Sequence, residues 1–267
     1  VLLLNDLFVN LIGGEIALRS ASELPNAYWV INPVQITLNK DQFMRTLLSE
    51  CLHFTCSNFK SIFKIFGGFI ITMSCLGMWL EHSFSVSENL WAYAVYLCVY
   101  SSIYTYLIAI FINFMASSTY GYDIECSVSW RVWSRLMIVY IIYSLIVLVG
   151  TIALVIPGLY LAARYSFVEF EAVLNNKSPL FALEKSWRDT KGITMKLIKI
   201  SMLLGIINFI LNFVIGYIGE VYPVLEVATG ILTSILSPLL LIFGSIVYFR
   251  VYITNVDTTE MPLGHEA

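Results

Sequence analysis

Apolar positions along this chain come in long unbroken stretches rather than in alternation. Runs of about 18 or more apolar residues with few charges mark helices that cross a bilayer. Such runs predict spans over 62–80, 90–115, 136–155, 196–218 and 225–253. A shorter run, 159–174, carries Arg164, Glu169 and Glu171 and predicts one further span. The stretch from 136 to 175 is apolar almost throughout but is broken by Pro157-Gly158. Proline lacks an N–H and clashes with the preceding turn, and glycine permits a tight reversal. The pair Pro157 and Gly158 therefore predicts the corner of a helical hairpin. The fold class that follows is all-α: a polytopic membrane protein of about six transmembrane helices, with interfacial amphipathic helices.

The segments between the spans are amphipathic or polar. Over 37–59, Phe43, Leu47, Phe54 and less closely Cys51 share one face, while Lys40, Arg45 and Glu50 lie mostly off it. This predicts one amphipathic helix with Asn39 as its N-cap. Upstream, 1–18 holds an apolar run too short and too polar to span, so residues 1–36 read as an interfacial or cytoplasmic segment. Residues 37–253 form the membrane domain, and 254–267 a polar cytoplasmic tail. Directly after the hairpin, Ser178 to Gly192 predicts a small surface helix: Ser178 caps, Pro179 suits the first turn, and Gly192 ends it. Leu180, Leu183 and Trp187 make its apolar stripe, and Glu184–Arg188 and Lys185–Asp189 are spaced for i,i+4 pairs. Lys185, Trp187, Arg188 and Lys191 make it a candidate docking helix for anionic lipid or a partner.

Composition agrees with the pattern. The chain has 267 residues, 58% hydrophobic and 12% charged, against roughly 25% charged in soluble domains. The net charge of −3 and the lack of a basic run give nucleic acid no footing. The five cysteines show no CxxC spacing and are expected as free thiols. Position 1 is Val, so the native start and a cleaved leader stay open. The sharper signal is the placement of Lys and Arg. With the N-terminus inside and six spans, Arg45, Lys60, Lys64, Arg131, Arg135, Lys177, Lys185, Arg188, Lys191, Lys196, Lys199 and Arg250 all fall on the cytoplasmic side. The outer turns (81–89, 156–158 and 219–224) hold none. This is the asymmetry of the positive-inside rule.

Ile156-Pro-Gly-Leu-Tyr-Leu-Ala-Ala-Arg-Tyr-Ser166, then Ala182-Leu-Glu-Lys-Ser-Trp187 and Lys191-Gly192, form a pattern that resembles the YciC-like bacterial inner-membrane proteins. It is also similar to the membrane domain fused to some glycerophosphoryl diester phosphodiesterases. The resemblance covers roughly 41–253 and leaves 1–36 outside. It implies a six-helix protein of the bacterial inner membrane with no established catalytic residues. No soluble phosphodiesterase domain accompanies it here, so that activity does not carry over.

Candidate chemistry is sparse. Arg164 is the one charge the six-span reading leaves in hydrocarbon, where ionisable groups mark functional sites. It either snorkels and caps backbone groups, or meets a ligand, a lipid headgroup or an ion. Glu171, a second candidate for contact with a ligand or lipid, shares its face but lies about 10 Å away along a helix, too far to pair. Ser201, Gly205, Asn208, Asn212, Gly216 and Gly219 follow one side of the fifth span, as helix packing or as the lining of a path. Tyr93, Tyr96, Tyr100 and Tyr104 form a similar stripe on the second span. There is no GxGxxG, P-loop, HExxH or GxSxG, and no His/Cys cluster with metal spacing. The expectation is a non-enzymatic structural or accessory component without cofactor or metal, whose partners are membrane lipids and other membrane protein subunits. The alternative is a transporter or channel for a small or anionic solute, with Arg164, Asn208 and Asn212 along its path. A third class, an enzyme of lipid metabolism, has only Glu169 and Glu171 to work with.

Overall fold

The computed structural model describes residues 40–83, 89–120 and 128–255. The expectations for 1–39, including the Asn39 cap, and for 256–267 lie outside the described residues. The described chain is all helix. It runs as α1 (Lys40–Ser57), α2 (Phe59–Ser83), α3 (Leu90–Tyr120), α4 (Trp130–Ala153), α5 (Val155–Arg164), α6 (Val168–Leu174), α7 (Pro179–Asp189), α8 (Thr194–Val221) and α9 (Glu226–Asn255). A 3-10 turn, Pro223–Leu225, joins α8 to α9. Five helices, α2, α3, α4, α8 and α9, are long and apolar enough to cross a membrane. The protein is an all-α polytopic membrane protein.

The amphipathic reading of α1 holds along its described length. Leu47, Cys51 and Phe54 are buried on one face. That face packs on α9, and Glu50, expected mostly off it, nonetheless bonds the Arg250 guanidinium of α9 at 3.0 Å. The buried residues concentrate in the first half of α2, the second half of α3, α6 and the last third of α9, with one face each of α1 and α7. The remaining helix surfaces, much of α4 and α8 above all, present apolar side chains outward as a lipid-facing surface requires.

The hairpin turns three residues earlier than expected. The backbone reverses at Leu154, which is extended (φ −169°, ψ 148°). Pro157 is not the breaker; it sits in the first turn of α5, where a missing N–H has no helical partner to lose. Gly158 serves close approach rather than the turn. A methyl group on it would lie 2.8 Å from the backbone N and Cα of Thr151, so only glycine lets the two limbs touch there. The return limb is also not one span over 159–174. It breaks at 165–167 into α5 and α6. The chain nonetheless goes out and comes back: Arg135, near the start of α4, donates to the carbonyls of Asn176 and Lys177 just beyond α6. Asn176 takes the left-handed conformation (φ 50°) that asparagine tolerates at a helix end.

Pro238 lies inside α9 without ending it. Its missing N–H leaves the Ser234 carbonyl without a helical donor, and the Ser74 hydroxyl of α2 supplies one at 3.3 Å. The tyrosine stripe of α3 packs in the same manner. Tyr96 donates to Met73 O at 3.1 Å, and the Tyr100 and Tyr104 rings stack at 6.0 Å.

Candidate functional site

The candidate residues converge where α5, α6, α7 and α8 meet. In an unbroken helix the Arg164 carbonyl would accept from Val168 N. Here the Ser186 hydroxyl of α7 donates to it at 3.0 Å, and the Thr190 hydroxyl lies 2.9 Å from it, its one hydrogen shared with Ser186 O at 2.7 Å. Val168 N bonds Tyr165 O instead, and Phe167 N donates to Ser186 Oγ at 3.2 Å. Side-chain hydroxyls inserted into the backbone ladder are a known cause of helix breaks, and they explain why the return limb is two short helices. Thr194, at the start of α8, continues the series by donating to Thr190 O at 2.7 Å.

The Arg164 side chain is buried at the same joint, only 3% exposed. Its guanidinium carbon sits 4.1 Å from the centre of the Trp187 ring, and Nη1 donates to Thr194 Oγ1 at 3.5 Å. Among the described residues no carboxylate lies within ion-pairing distance of it. Tyr160 and Tyr165 flank the other edges of the Trp187 indole. Arg164 therefore fastens α5 to α7 by a cation–π contact, worth about 2 kcal/mol when desolvated, and reaches α8 through the Thr194 hydroxyl.

Glu171 was expected on the face of Arg164, but the break at 165–167 turns it elsewhere. It is fully buried and held from three sides. Tyr252 of α9 donates to Oε1 at 2.9 Å, Asn175 donates to Oε2, and Lys185 Nζ lies 3.2 Å from Oε2. Around them Phe167, Phe170, Phe249 and Tyr252 form an aromatic cluster; Phe167 meets Tyr252 edge-on at 5.3 Å and Phe170 meets Phe249 at 5.5 Å. This corrects the reading of α7. Lys185 is not part of an outward docking surface; it points inward and pairs with Glu171. The expected i,i+4 pairs are absent among the described residues, because Lys185 is taken by Glu171 and Arg188 pairs with Asp189 at 3.6 Å. Ser178 does cap, accepting from Phe181 N at 3.4 Å. The helix ends at Asp189, with Thr190 as its C-cap, before Gly192 is reached. Trp187 keeps one edge exposed, and Arg188 and Lys191 are exposed.

The small-residue face of α8 also resolves. Asn212 donates to the Asn208 carbonyl and side-chain oxygens, both at 2.8 Å, and accepts from Ser237 of α9 at 3.2 Å. The amides thus stitch α8 to α9. Each also touches a cavity. Asn212 lines one between α2, α3, α8 and α9, together with Ser74, Tyr96 and Ser237. Asn208 lines another, of about 420 Å³, with Glu169, Tyr140 and Tyr248. Arg164 lines neither of these two cavities.

Glu169 entered the sequence reading only beside Glu171, as a group open to an enzyme of lipid metabolism. Its carboxylate accepts from Tyr140 of α4. The hydroxyl series Ser186, Thr190, Thr194 was missed, although its four-residue spacing is plain in the sequence. Among the described residues no group of three His, Cys, Asp or Glu side chains could hold a metal ion. No protein-family model, curated protein or solved structure matches the chain.

Proposed function

We propose that the chain is a non-enzymatic component of the bacterial inner membrane, with both termini in the cytoplasm, acting through contacts of α7 with anionic lipid and with other membrane subunits. The observation that carries this reading is the two-sided nature of α7. Its inner face is locked to the bundle through Lys185, Ser186 and Thr190. Its outer face leaves Leu180, Phe181, Trp187, Arg188 and, just beyond, Lys191 exposed. An apolar stripe edged with basic groups on a rigidly held helix is suited to the headgroup layer. The buried charges Arg164 and Glu171 support the same reading, because both are engaged by the protein itself. The resemblance to the YciC-like proteins and the one-sided placement of Lys and Arg support the membrane and the orientation.

Basic groups near an anionic leaflet contribute about 1 kcal/mol each. Replacing both Arg188 and Lys191 by alanine is therefore expected to weaken retention of phosphatidylglycerol by roughly thirtyfold, read as bound lipids by native mass spectrometry of the purified protein. Unchanged lipid retention in a folded double variant would remove the docking role. A second reading, passage of a small solute, is favoured by the cavity at Asn208 and Glu169.

A further inference from the structure

The cavity beside Glu169 lies near the midpoints of three long helices. Its lining includes Tyr104 of α3, Asn208 of α8 and Leu240 of α9, each close to the centre of its helix. An ionisable group enclosed among such helices is costly and most often functional. Yet among the described residues the Glu169 carboxylate is partnered by the Tyr140 hydroxyl alone, and no Lys or Arg lies within ion-pairing distance. The contrast with Glu171, two residues on, is direct: there the protein supplies its own ammonium.

The walls say what would complete the site. Besides Tyr104 and Tyr140, the cavity is lined by Tyr143, Tyr165 and Tyr248. Tyrosine rings present electron-rich faces that attract cations, and desolvation strengthens the attraction. At about 420 Å³ the space is within the range of small-molecule sites. A hard metal ion is a poor fit, since calcium takes six to eight oxygen ligands and magnesium a near-ideal octahedron, while the cavity offers one carboxylate. An anion would meet that carboxylate as a like charge. The structure assigns this cavity, we infer, as a binding site for an organic ammonium group, with Glu169 as the counter-charge and the tyrosines as the cage. The inference needs only the cavity; it depends neither on the docking role of α7 nor on passage of a solute.

The ammonium could arrive on a free solute or on an ethanolamine headgroup, and the test separates the two. The full chain is placed in nanodiscs of phosphatidylglycerol alone and in discs that also contain phosphatidylethanolamine. Binding of choline is measured against 3,3-dimethylbutanol, its uncharged isostere. Choline is expected to bind at least about tenfold more tightly. Glu169→Gln, which keeps the shape and an acceptor for Tyr140, should bring the two within about twofold, while Glu169→Asp keeps the preference. If a solute is the natural occupant, choline binds equally in both discs. If the lipid is, ethanolamine discs suppress choline binding, and the wild-type chain, but not Glu169→Gln, retains that lipid in native mass spectrometry. Equal binding of choline and its isostere to the wild-type chain overturns the inference. So does an undiminished preference in a Glu169→Gln variant whose helical content and melting match wild type.

Discussion

At the level of single residues, the Glu171–Lys185 pair shows how charges survive inside this protein. The carboxylate is met by a lysine, a tyrosine and an asparagine, so its desolvation is offset by several charge-assisted hydrogen bonds. Removing one partner leaves the other buried and alone. Lys185→Met should lower stability by about 3–5 kcal/mol, whereas Glu171→Gln combined with Lys185→Met should recover a large part of that loss. Equilibrium unfolding of the two variants in mixed micelles checks the ordering; a double variant as unstable as the single one would show that the pair is not the source. Neither half of this pair was legible as a pair. The residues are fourteen apart in sequence, separated by a helix end and a turn, so no periodicity links them. The same holds for Arg164 over Trp187. Its importance was visible from hydropathy, but its partner depends on how α7 folds back.

At the level of helices, the sequence was most informative where periodicity or hydropathy ran long. The five long spans were foreseen, with ends displaced by up to six residues, as was the buried face of α1, and the cap at Ser178 followed from local chemistry. What was misplaced was the interior of the hairpin. Proline-glycine has two readings, a turn or a first-turn proline followed by a close contact, and only tertiary packing chooses between them. The break between α5 and α6 is written in the hydroxyls of Ser186 and Thr190, twenty or more residues downstream, rather than at the break itself. Gly158 is the sensitive position. Gly158→Ala puts a methyl group against the Thr151 backbone, which has no rotamer with which to yield. It should destabilise the chain by about 1–3 kcal/mol, seen as a lower unfolding midpoint, whereas Gly205→Ala, which faces open space, should leave the midpoint nearly unchanged. Equal effects at the two sites would mean that the limbs do not touch at Gly158.

At the level of the whole molecule, the meeting of Arg135 with Asn176 and Lys177 brings the start of α4 and the end of α6 to one side. The connection at Val224 lies at the far ends of α8 and α9. Single cysteines at Ser129 and Lys177, in a chain whose native cysteines are replaced, should therefore react with a membrane-impermeant thiol reagent from the same face of the bilayer. A cysteine at Val224, which is almost fully exposed, should react from the other. Labelling of Ser129 and Lys177 from opposite faces would contradict the hairpin. Its bend has a consequence for how the protein is made. From Leu136 to Ala163 there is no charged residue, and Ile152, Leu154, Val155 and Ile156 at the tip all face outward. A newly synthesised chain has no hydrophilic loop to drag across the lipid there, so both limbs can leave the insertion machinery together, already folded against one another.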